Sequence, residues 1–337
     1  MRIPGLGRIR RIARRMHHRI SAGVVILLYH RVTQLESDPQ WLTVPPIIFD
    51  EQIAMLARTW EVLSIDQIAA GLERGSLPKR AVAITFDDGY SDNLHQALPI
   101  LEKRKAHATF YIASGFVGQS REIFSDELDR LLLMPSRASG VLRLGGRSWD
   151  LPALDQVAAN WNVLQNPSPT PRHEAYRELC ALAAPMNDAD RQGLLEAVRN
   201  WAGESAEGRA SHRFATAEEL RHFAASSIAT IGAHTVSHPR LSSLSPADQA
   251  REIADSKREI ERIIDKPVTT FAYPFGGHCD QTIETIDAVR NAGFQTACVN
   301  FGGSVRRGDN PLALNRILAR DWPAAELQQR IEASFVE

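Results

Sequence analysis

The sequence predicts an α/β protein in which parallel strands alternate with helices. Short apolar runs rich in β-branched residues alternate with longer segments whose apolar residues have helical spacing. This alternation is typical of parallel strands in a barrel or a doubly wound sheet. At 337 residues, the chain is long enough for one large barrel or for two ordinary domains. Its length is compatible with both arrangements.

The predicted strands are short, and polar residues follow the first of them directly. That strand ends at Tyr29 and is followed by His30 and Arg31, so His30 is expected at the carboxyl end of a strand. Pro78 ends the second predicted helix before the next apolar run begins. The predicted strands are residues 23–29, 81–86, 108–113, 227–231 and 268–272, and the predicted helices are residues 49–60, 65–74 and one that ends within 99–105.

Between about residues 118 and 212, the pattern changes to helix-rich sequence interrupted by prolines. We predict that this segment is a helical insertion packed on the α/β body, with a turn or short linker at residues 166–172. The predicted organisation is a basic arm at residues 1–20 and one α/β body at residues 21–337, which carries the insertion.

Composition narrows the class of protein. The hydrophobic fraction is 44% and the charged fraction 23%, values typical of a soluble globular protein. The formal net charge is −1 and no zinc-finger or basic-helix motif occurs, so nucleic acid is not an expected partner. The three cysteines are too few and too irregularly spaced for a disulfide framework, and we interpret them as ordinary thiols. They are Cys180, Cys279 and Cys298.

The first twenty residues have the pattern of a basic amphipathic helix, in which arginines alternate with isoleucine and methionine. One interpretation is peripheral attachment to an anionic membrane surface, and a solvated arm is an equal alternative. The apolar run at residues 22–29 is far shorter than the ~20 residues that cross a bilayer, and no signal-peptide cleavage site follows it. We therefore expect a cytoplasmic protein without a clear signal peptide, with peripheral contact at the inner membrane face if the arm binds lipid.

The strongest local signal is the run Thr-Phe-Asp-Asp-Gly-Tyr at residues 85–90. Here an apolar strand ends in two adjacent carboxylates, Asp87 and Asp88. Two like charges side by side disfavour each other's ionisation unless a cation or a shared proton compensates. Gly89 would supply the tight turn. A surface Asp-Asp-Gly turn is the structural alternative when this run is taken alone.

The second signal is the run His-Thr-Val-Ser-His at residues 234–238. Positions four apart on a helical turn share a face, so His234 and His238 could converge on one metal ion. Imidazole and carboxylate ligands suit zinc, iron, cobalt, nickel or manganese, and three protein ligands leave coordination positions open for water and substrate.

The third signal is the run Phe-Ala-Tyr-Pro-Phe-Gly at residues 271–276, which follows a predicted strand. Its aromatic residues and proline could form one wall of a sugar-binding groove, through Tyr273, Pro274 and Phe275. A packed turn is the alternative.

Together and in this order, the three runs resemble the motifs of the polysaccharide deacetylase family, also called the NodB-homology or carbohydrate esterase family 4 group. The opening run at residues 28–32, Leu-Tyr-His-Arg-Val, resembles the subgroup associated with exopolysaccharide and cell-envelope synthesis. The resemblance implies a distorted (β/α)7–8 barrel, with the basic arm and the helical insertion outside the common core.

The resemblance also implies residue roles. Asp87 matches the catalytic base, and Asp88, His234 and His238 match the metal ligands. The backbone N–H of Tyr90 matches an oxyanion donor. One divalent metal ion is implied, with zinc expected first and cobalt, nickel, manganese and iron compatible.

Two family positions differ in this chain. The arginine that usually orients the base is replaced by Ala272, and the histidine that usually serves as general acid is replaced by Arg316. We predict His30 as the replacement acid, because the carboxyl ends of parallel barrel strands meet on one face. A strand-end histidine satisfied by backbone is the alternative. Arg31, Arg316 or Arg320 could orient Asp87, and Arg316 is also a candidate for oxyanion or substrate binding.

The implied activity is metal-dependent hydrolysis that removes an N-acetyl group from a sugar of a polysaccharide or glycan precursor. A close alternative is a deacetylase or deformylase of a lipid-linked sugar at the membrane face, which the basic arm favours. An alternative of another class is a catalytically silent carbohydrate-binding or scaffold protein, suggested by the missing arginine and histidine. The motifs of a serine hydrolase are absent, since no G-x-S-x-G run occurs.

Overall fold

The computed structural model describes residues 23–158 and 160–336. The predicted arm at residues 1–20 lies outside the described residues. The strands are β1 (Val24–Tyr29), β2 (Arg31–Val32), β3 (Thr43–Val44), β4 (Glu61–Leu63), β5 (Ala81–Phe86), β6 (Ala108–Ile112), β7 (Gly140–Leu144), β8 (Arg147–Leu151), β9 (Ala229–Ala233), β10 (Thr270–Ala272), β11 (Thr296–Cys298) and β12 (Arg316–Leu318).

Helices follow most of the central strands. They are α1 (Pro46–Thr59), α2 (Ile65–Glu73), α3 (Leu98–Arg104), α4 (Phe124–Leu132), α5 (Pro171–Ala183), α6 (Asp188–Ala202), α7 (Ala217–Ala225), α8 (Pro246–Ile264), α9 (Ile283–Asn291) and α10 (Ala324–Ser334). A π-helical turn at Asn93–Ala97 leads into α3. Among the described residues, no helix combines the length and the apolar character needed to cross a bilayer.

An eight-stranded sheet forms the centre of the molecule. Its strands run in the order β11-β10-β9-β6-β5-β1-β12, and β4 pairs with the first half of β5. The pairings along this order are parallel. The sheet nearly closes, because Cys298 of β11 forms a parallel bridge with Leu314, just before β12. The predicted distorted (β/α) barrel is therefore confirmed.

The strands and helices form where the sequence pattern predicts them. Every residue of β1 and β5 is buried, as expected for parallel strands that are covered on both faces. Helix α2 begins at a capping box in which Ser64 and Gln67 each bond the other's backbone N–H. The predicted strand at residues 227–231 is shifted by two residues to Ala229–Ala233, within the usual uncertainty of boundaries.

The predicted insertion segment, residues 118–212, has its own hydrophobic cluster. Helix α4 packs against α5 and α6, and the buried residues of the cluster include Leu128, Tyr176 and Leu195. The segment is not wholly helical, because β7 and β8 form an antiparallel hairpin within it. The prediction of helix alone was incomplete there: the turn residues Gly145 and Gly146 both have positive φ, and a Gly-Gly turn between alternating apolar residues is a hairpin signal.

The three cysteines are free thiols, as predicted from their spacing. Cys298 is buried inside the barrel, Cys180 is half-buried in α5 and Cys279 is exposed. Burial raises the pKa of the Cys180 thiol to about 12, so this side chain is a neutral thiol at physiological pH.

Candidate active site

Asp87 and Asp88 follow β5 directly and enter a tight turn. The backbone N–H of Asp87 donates to the carbonyl of Tyr29 at 3.0 Å, which ties the turn to the end of β1. Asp88 has φ of 74° and Gly89 has φ of 87°. A non-glycine residue in the left-handed region is strained and persists only where the surroundings hold it. The tight turn that the sequence predicts at Gly89 is present.

His234 and His238 lie in an irregular loop after β9. The predicted helical turn is wrong: Thr235 has φ of 67° and His238 has φ of 55°, so the backbone reverses twice within the motif. Glu252 of α8 accepts two backbone N–H groups of this loop at 2.8 and 2.9 Å. These contacts, rather than helical periodicity, bring the two imidazoles together.

The three residues predicted as metal ligands converge. Nε2 of His234 lies 3.5 Å from Oδ1 of Asp88, and Nε2 of His238 lies 3.4 Å from the same oxygen. The candidate ligand atoms of the three residues lie within 4.8 Å of one another. Nδ1 of His234 donates to the carbonyl of Ala272 at 2.7 Å, and this bond orients Nε2 toward the cluster. Two imidazoles and a carboxylate are a donor set that suits zinc and its neighbours.

The electrostatics of Asp88 fit a cation at this point. Its Oδ1 is buried and has no hydrogen-bond partner within the described residues, which is a costly arrangement for a carboxylate oxygen. Burial, together with the charge of Asp87, raises the pKa of Asp88 well above its ordinary value. A divalent cation would supply both the missing partner and the missing counter-charge. The residues present therefore fit a metal ion.

Asp87 forms a buried ion pair with Arg316. The guanidinium donates two parallel hydrogen bonds of 2.7 Å, one to each carboxylate oxygen, and about 1% of the Arg316 side chain and 4% of the Asp87 side chain are exposed. Arg316 also donates to the carbonyl of Val299 at 3.2 Å. Burial alone would raise the pKa of Asp87, but Arg316 and His234 outweigh it and lower this pKa to about 2.

Of the three arginines predicted to orient Asp87, Arg316 is therefore the one that contacts it. Its guanidinium is buried inside the barrel, and Arg316 is not among the residues that line the cavity, so the geometry favours orientation of Asp87 over the predicted oxyanion or substrate binding. The other two candidates for orienting Asp87 have different partners. Arg31 donates to Asp92 at 2.8 and 3.0 Å. Arg320 donates to the backbone carbonyl of Trp41.

His30 lines the same cavity as Asp87, Asp88, His234 and His238. Its backbone carbonyl accepts a hydrogen bond of 2.9 Å from Asn93, while its buried Nδ1 has no partner among the described residues. His30 thus lies at the carboxyl end of β1, where the sequence predicts it, and its side chain faces the cavity. Burial lowers the pKa of His30 to about 4, and the charge of Asp87 opposes this shift only in part.

Tyr90 connects the active site to the insertion segment. Its ring stacks on Phe214 with a centroid distance of 4.7 Å, and the Arg31 guanidinium lies 4.3 Å from the ring centroid. Its hydroxyl donates to Asp126 of α4 at 2.8 Å. Within the described residues, no acceptor is found for the backbone N–H of Tyr90, and the residue lines the cavity.

The aromatic and proline run at residues 271–276 contributes one residue to the cavity wall. Phe275 lines the cavity, and its ring lies 5.2 Å from that of His238. Tyr273 is buried, and its hydroxyl donates to the carbonyl of Leu312 at 2.9 Å. Pro274 is buried as well. Of the three residues predicted to form a sugar-binding wall, the structure therefore places Phe275 on the cavity and buries Tyr273 and Pro274 inside the protein.

The cavity has a volume of about 360 Å³. Its candidate catalytic residues follow the ends of barrel strands, and much of the remaining wall comes from the insertion segment. Sequence reasoning missed these wall residues and Asp126. Their contacts with the barrel join residues far apart in the chain, and no local pattern signals such a pairing.

A parallel barrel with carboxylates and histidines at the carboxyl ends of its strands defines the class of NodB-like barrels. The family described as polysaccharide deacetylase matches residues 74–178 and 197–297. The chain belongs to the polysaccharide deacetylase family, and it is a hydrolase of that family.

Individual relatives agree with this assignment. The protein YxkH of Bacillus subtilis (strain 168), which carries the name of a polysaccharide deacetylase, is 21% identical over 298 residues, or 88% of this chain and 71% of that protein. The poly-beta-1,6-N-acetyl-D-glucosamine N-deacetylase of Escherichia coli (strain K12) is 34% identical over 82 residues, which are 24% of this chain and 12% of that enzyme.

Solved structures share the fold. The Streptococcus pyogenes deacetylase PplD has a TM-score of 0.58 at 18% identity, with 92% of this chain and 99% of that chain covered. IcaB from Ammonifex degensii has a TM-score of 0.58 at 18% identity, with 93% and 98% covered. At this level of identity, the comparison supports the barrel and its connectivity.

Proposed function

We propose that the protein removes the N-acetyl group from an N-acetylated sugar of a polysaccharide or glycan precursor by metal-dependent hydrolysis. The observation that carries the proposal is the cluster of Asp88, His234 and His238 beside the ionised Asp87 in one cavity. Family membership supports the reaction class. The name of the Escherichia coli relative supports an N-acetylated glycan as substrate.

Asp88, His234 and His238 would hold one divalent cation. The chemistry that such a cation would supply is polarisation of the acyl carbonyl and a lower pKa of a bound water molecule. The three protein ligands leave positions open for water and substrate, which is typical of a catalytic rather than a structural site. Zinc is the proposed metal, and cobalt, nickel, manganese and iron are compatible with the same ligands.

Asp87 is the proposed general base. Its pKa of about 2 keeps the carboxylate ionised at neutral pH, and the two bonds from Arg316 fix the plane of the carboxylate. Asp87 can then accept a proton from the attacking water as the new C–O bond forms. The backbone N–H of Tyr90 would donate to the oxygen of the acyl carbon as that carbon becomes tetrahedral.

His30 is the proposed proton donor to the leaving nitrogen. Because burial lowers the pKa of this imidazole to about 4, it is neutral in the resting site. The proton that His30 delivers would therefore be the one that Asp87 takes from the attacking water and passes to the imidazole before the C–N bond breaks. The net step forms a C–O bond, breaks the C–N bond and moves one proton from water to nitrogen. It yields acetic acid and an amino sugar, and the second proton passes from the acid to the amine at neutral pH, which leaves acetate and an ammonium sugar.

The test is incubation of the purified protein with N-acetylated and N-formylated glycans, followed by measurement of released acetate and formate. Acetate release that is lost in Asp87→Asn supports the proposal. Formate release alone would assign the alternative deformylase activity. If the metal-loaded protein binds glycans without releasing either acid, it is a carbohydrate-binding scaffold.

The basic arm suggests where the protein acts. We propose peripheral contact at the inner membrane face through residues 1–20, because arginines and apolar residues alternate there with helical spacing. The organisation into this arm, a deacetylase barrel and an insertion at about residues 118–212 is likewise a proposal.

A further inference from the structure

One side of the active-site cavity is apolar. This side is formed by five aliphatic side chains and one aromatic ring, that of Phe124, and the rings of Tyr90 and Phe275 also line the cavity. The residues of this apolar wall are Leu42, Ile123, Phe124, Val163, Leu164 and Leu318. Four of the six come from the insertion segment. Leu164 is 65% exposed, so its side chain is free to contact a bound molecule.

The polar side chains near this wall already have partners. Gln40 donates to the hydroxyl of Tyr176 at 2.7 Å. Arg320 donates to backbone carbonyls of residues 40 and 41. A run of sugar units has many hydroxyl groups, and each buried hydroxyl needs a hydrogen-bond partner. Apart from the proposed catalytic groups, the polar atoms still open on the lining are those of Ser125 and Asn300, the amide oxygen of Gln40 and the remaining N–H groups of Arg320. These are few partners for the hydroxyl groups of several sugar units.

The apolar wall is held in place by contacts between the insertion segment and the loop that precedes β3. The backbone N–H of Val163 donates to the carbonyl of Pro39 at 2.9 Å. Gln40 reaches Tyr176 of α5 from the same loop. These hydrogen bonds connect the loop that carries Leu42 to the insertion segment that carries Leu164, so the two leucines belong to one continuous surface.

We propose that this apolar wall binds an aliphatic chain attached to the N-acylated sugar, so that the substrate is a sugar with a lipid-like aglycone. The inference rests on the proposed deacetylase function, because the chain must occupy the wall while the N-acyl group reaches the metal cluster. Burying methylene groups against such a wall is favourable, and the wall leaves few buried polar groups unpaired.

The test compares β-glycosides of N-acetylglucosamine whose aglycones are methyl, hexyl and octyl, each below its micelle concentration, with N-acetylglucosamine oligosaccharides. Acetate release by the metal-loaded full chain gives kcat/KM. We expect kcat/KM to rise about threefold to fourfold for each methylene group that becomes buried, mainly through a lower KM. The oligosaccharides should be poorer substrates than the octyl glycoside.

Leu164→Ser tests the wall itself, since Leu164 is exposed in the free protein and its replacement leaves the core intact. This variant should lower the octyl-to-methyl ratio of kcat/KM by about fivefold or more, because less apolar surface is buried with the chain. Val141→Ser is the matched control. Val141 is a 45% exposed residue of the same insertion segment that does not line the cavity, and its replacement should leave the ratio unchanged.

The two levels of the proposal fail in different ways. Acetate release that is independent of chain length, or an unchanged ratio in Leu164→Ser, would overturn the apolar-wall inference and leave the deacetylase intact. If no glycoside or oligosaccharide releases acetate, the proposed function fails. Calorimetric titration of the same glycosides then still tests the wall, since the octyl compound should bind the protein more tightly than the methyl compound, and equal binding would overturn the inference.

Discussion

Arg316 and Asp87 face each other across β1, each buried, with both carboxylate oxygens bonded to the guanidinium at 2.7 Å. By the motif resemblance, Arg316 is expected at the position of the family's general-acid histidine, and Ala272 at that of its arginine. In this chain, the guanidinium that orients the base comes from β12 instead of β10. The planar guanidinium of Arg316 donates two parallel hydrogen bonds, one to each carboxylate oxygen, and so fixes the plane of the carboxylate.

We predict that Arg316→Lys lowers kcat by about 10²-fold or more while Asp88, His234 and His238 keep their metal. Lysine retains the charge but provides a single ammonium group, so it cannot fix the plane of Asp87 with two parallel bonds. Steady-state kinetics and metal analysis of the same preparation measure the two effects. Turnover within a few fold of the parent protein would show that two-point orientation of Asp87 is unimportant.

Arg316→Met should be the more damaging change to the fold. It leaves Asp87 buried without its cationic partner, and removal of one member of a buried ion pair typically costs about 3–5 kcal/mol. Urea denaturation measures the free energy of unfolding. A variant as stable as the parent would contradict the importance of this pair for the barrel interior.

The three proposed metal ligands are tested by removing them one at a time. Asp88→Ala, His234→Ala and His238→Ala should each lose the bound metal, because two remaining ligands do not hold a catalytic cation. Asp87→Asn should keep the metal and lose roughly 10²- to 10⁴-fold in turnover, the usual contribution of a positioned base. Elemental analysis by mass spectrometry measures metal per chain. Stoichiometric metal in any one of the three alanine variants would remove that residue from the ligand set.

His30→Ala should preserve the fold and the metal but slow amide hydrolysis by about 10²-fold. The loss should be smaller for an activated acetate ester, whose leaving group needs no proton. The ratio of the two rates therefore separates loss of a proton donor from general damage to the site. An equal loss on amide and ester would exclude His30 as the donor.

His212 makes the fold sensitive to acid. It is buried at the junction of the insertion segment with the barrel, and burial, with the charges of Arg209 and Arg31, lowers its pKa to about 3. Between about pH 6.5 and pH 3, the unfolded chain therefore binds a proton that the folded protein does not. This residue thus makes stability fall as the pH falls, by at most about 1.4 kcal/mol per pH unit.

Urea denaturation of the parent and of His212→Gln, between pH 7 and pH 4, tests this prediction. Glutamine cannot titrate, so the variant should lose less stability over this range than the parent does. Parallel stability curves for the two proteins would show that His212 does not contribute to the acid sensitivity.

The basic arm is tested by truncation. Deleting residues 1–19 should move the protein from the membrane fraction to the soluble fraction, because the arginine-rich pattern is lost. Hydrolysis of a short soluble substrate should be unchanged, since the proposed catalytic residues begin at His30. Equal fractionation of the two forms would rule out the membrane interpretation.

The fold and the metal cluster could be predicted because their signals are local. A continuous apolar strand that ends in Asp87 and Asp88, and two histidines four residues apart, are visible within short stretches of sequence. The backbone path between His234 and His238 was predicted wrongly, because left-handed residues held by Glu252 of a distant helix produce the convergence.

Contacts over long sequence separations account for the other differences. Arg316 was a candidate both for orienting the base and for binding substrate, and only its location inside the barrel decides between these roles. Tyr273 is an aromatic residue of the type that often contacts sugars, but its hydroxyl donates to the backbone carbonyl of Leu312, which lies before β12. The bond between Tyr90 and Asp126 joins the barrel to the insertion segment, and neither residue signals the other in the sequence.

The central claim is that Asp88, His234 and His238 hold one catalytic metal ion in a deacetylase. The most direct measurement is acetate release from an N-acetylated glycan by protein stripped with a chelator and then titrated with zinc. We expect no activity in the stripped protein, and a linear rise in activity that saturates at one zinc ion per chain. Full activity in the stripped protein, or stoichiometric zinc binding at these residues without acetate release from any N-acetylated glycan, would contradict the claim.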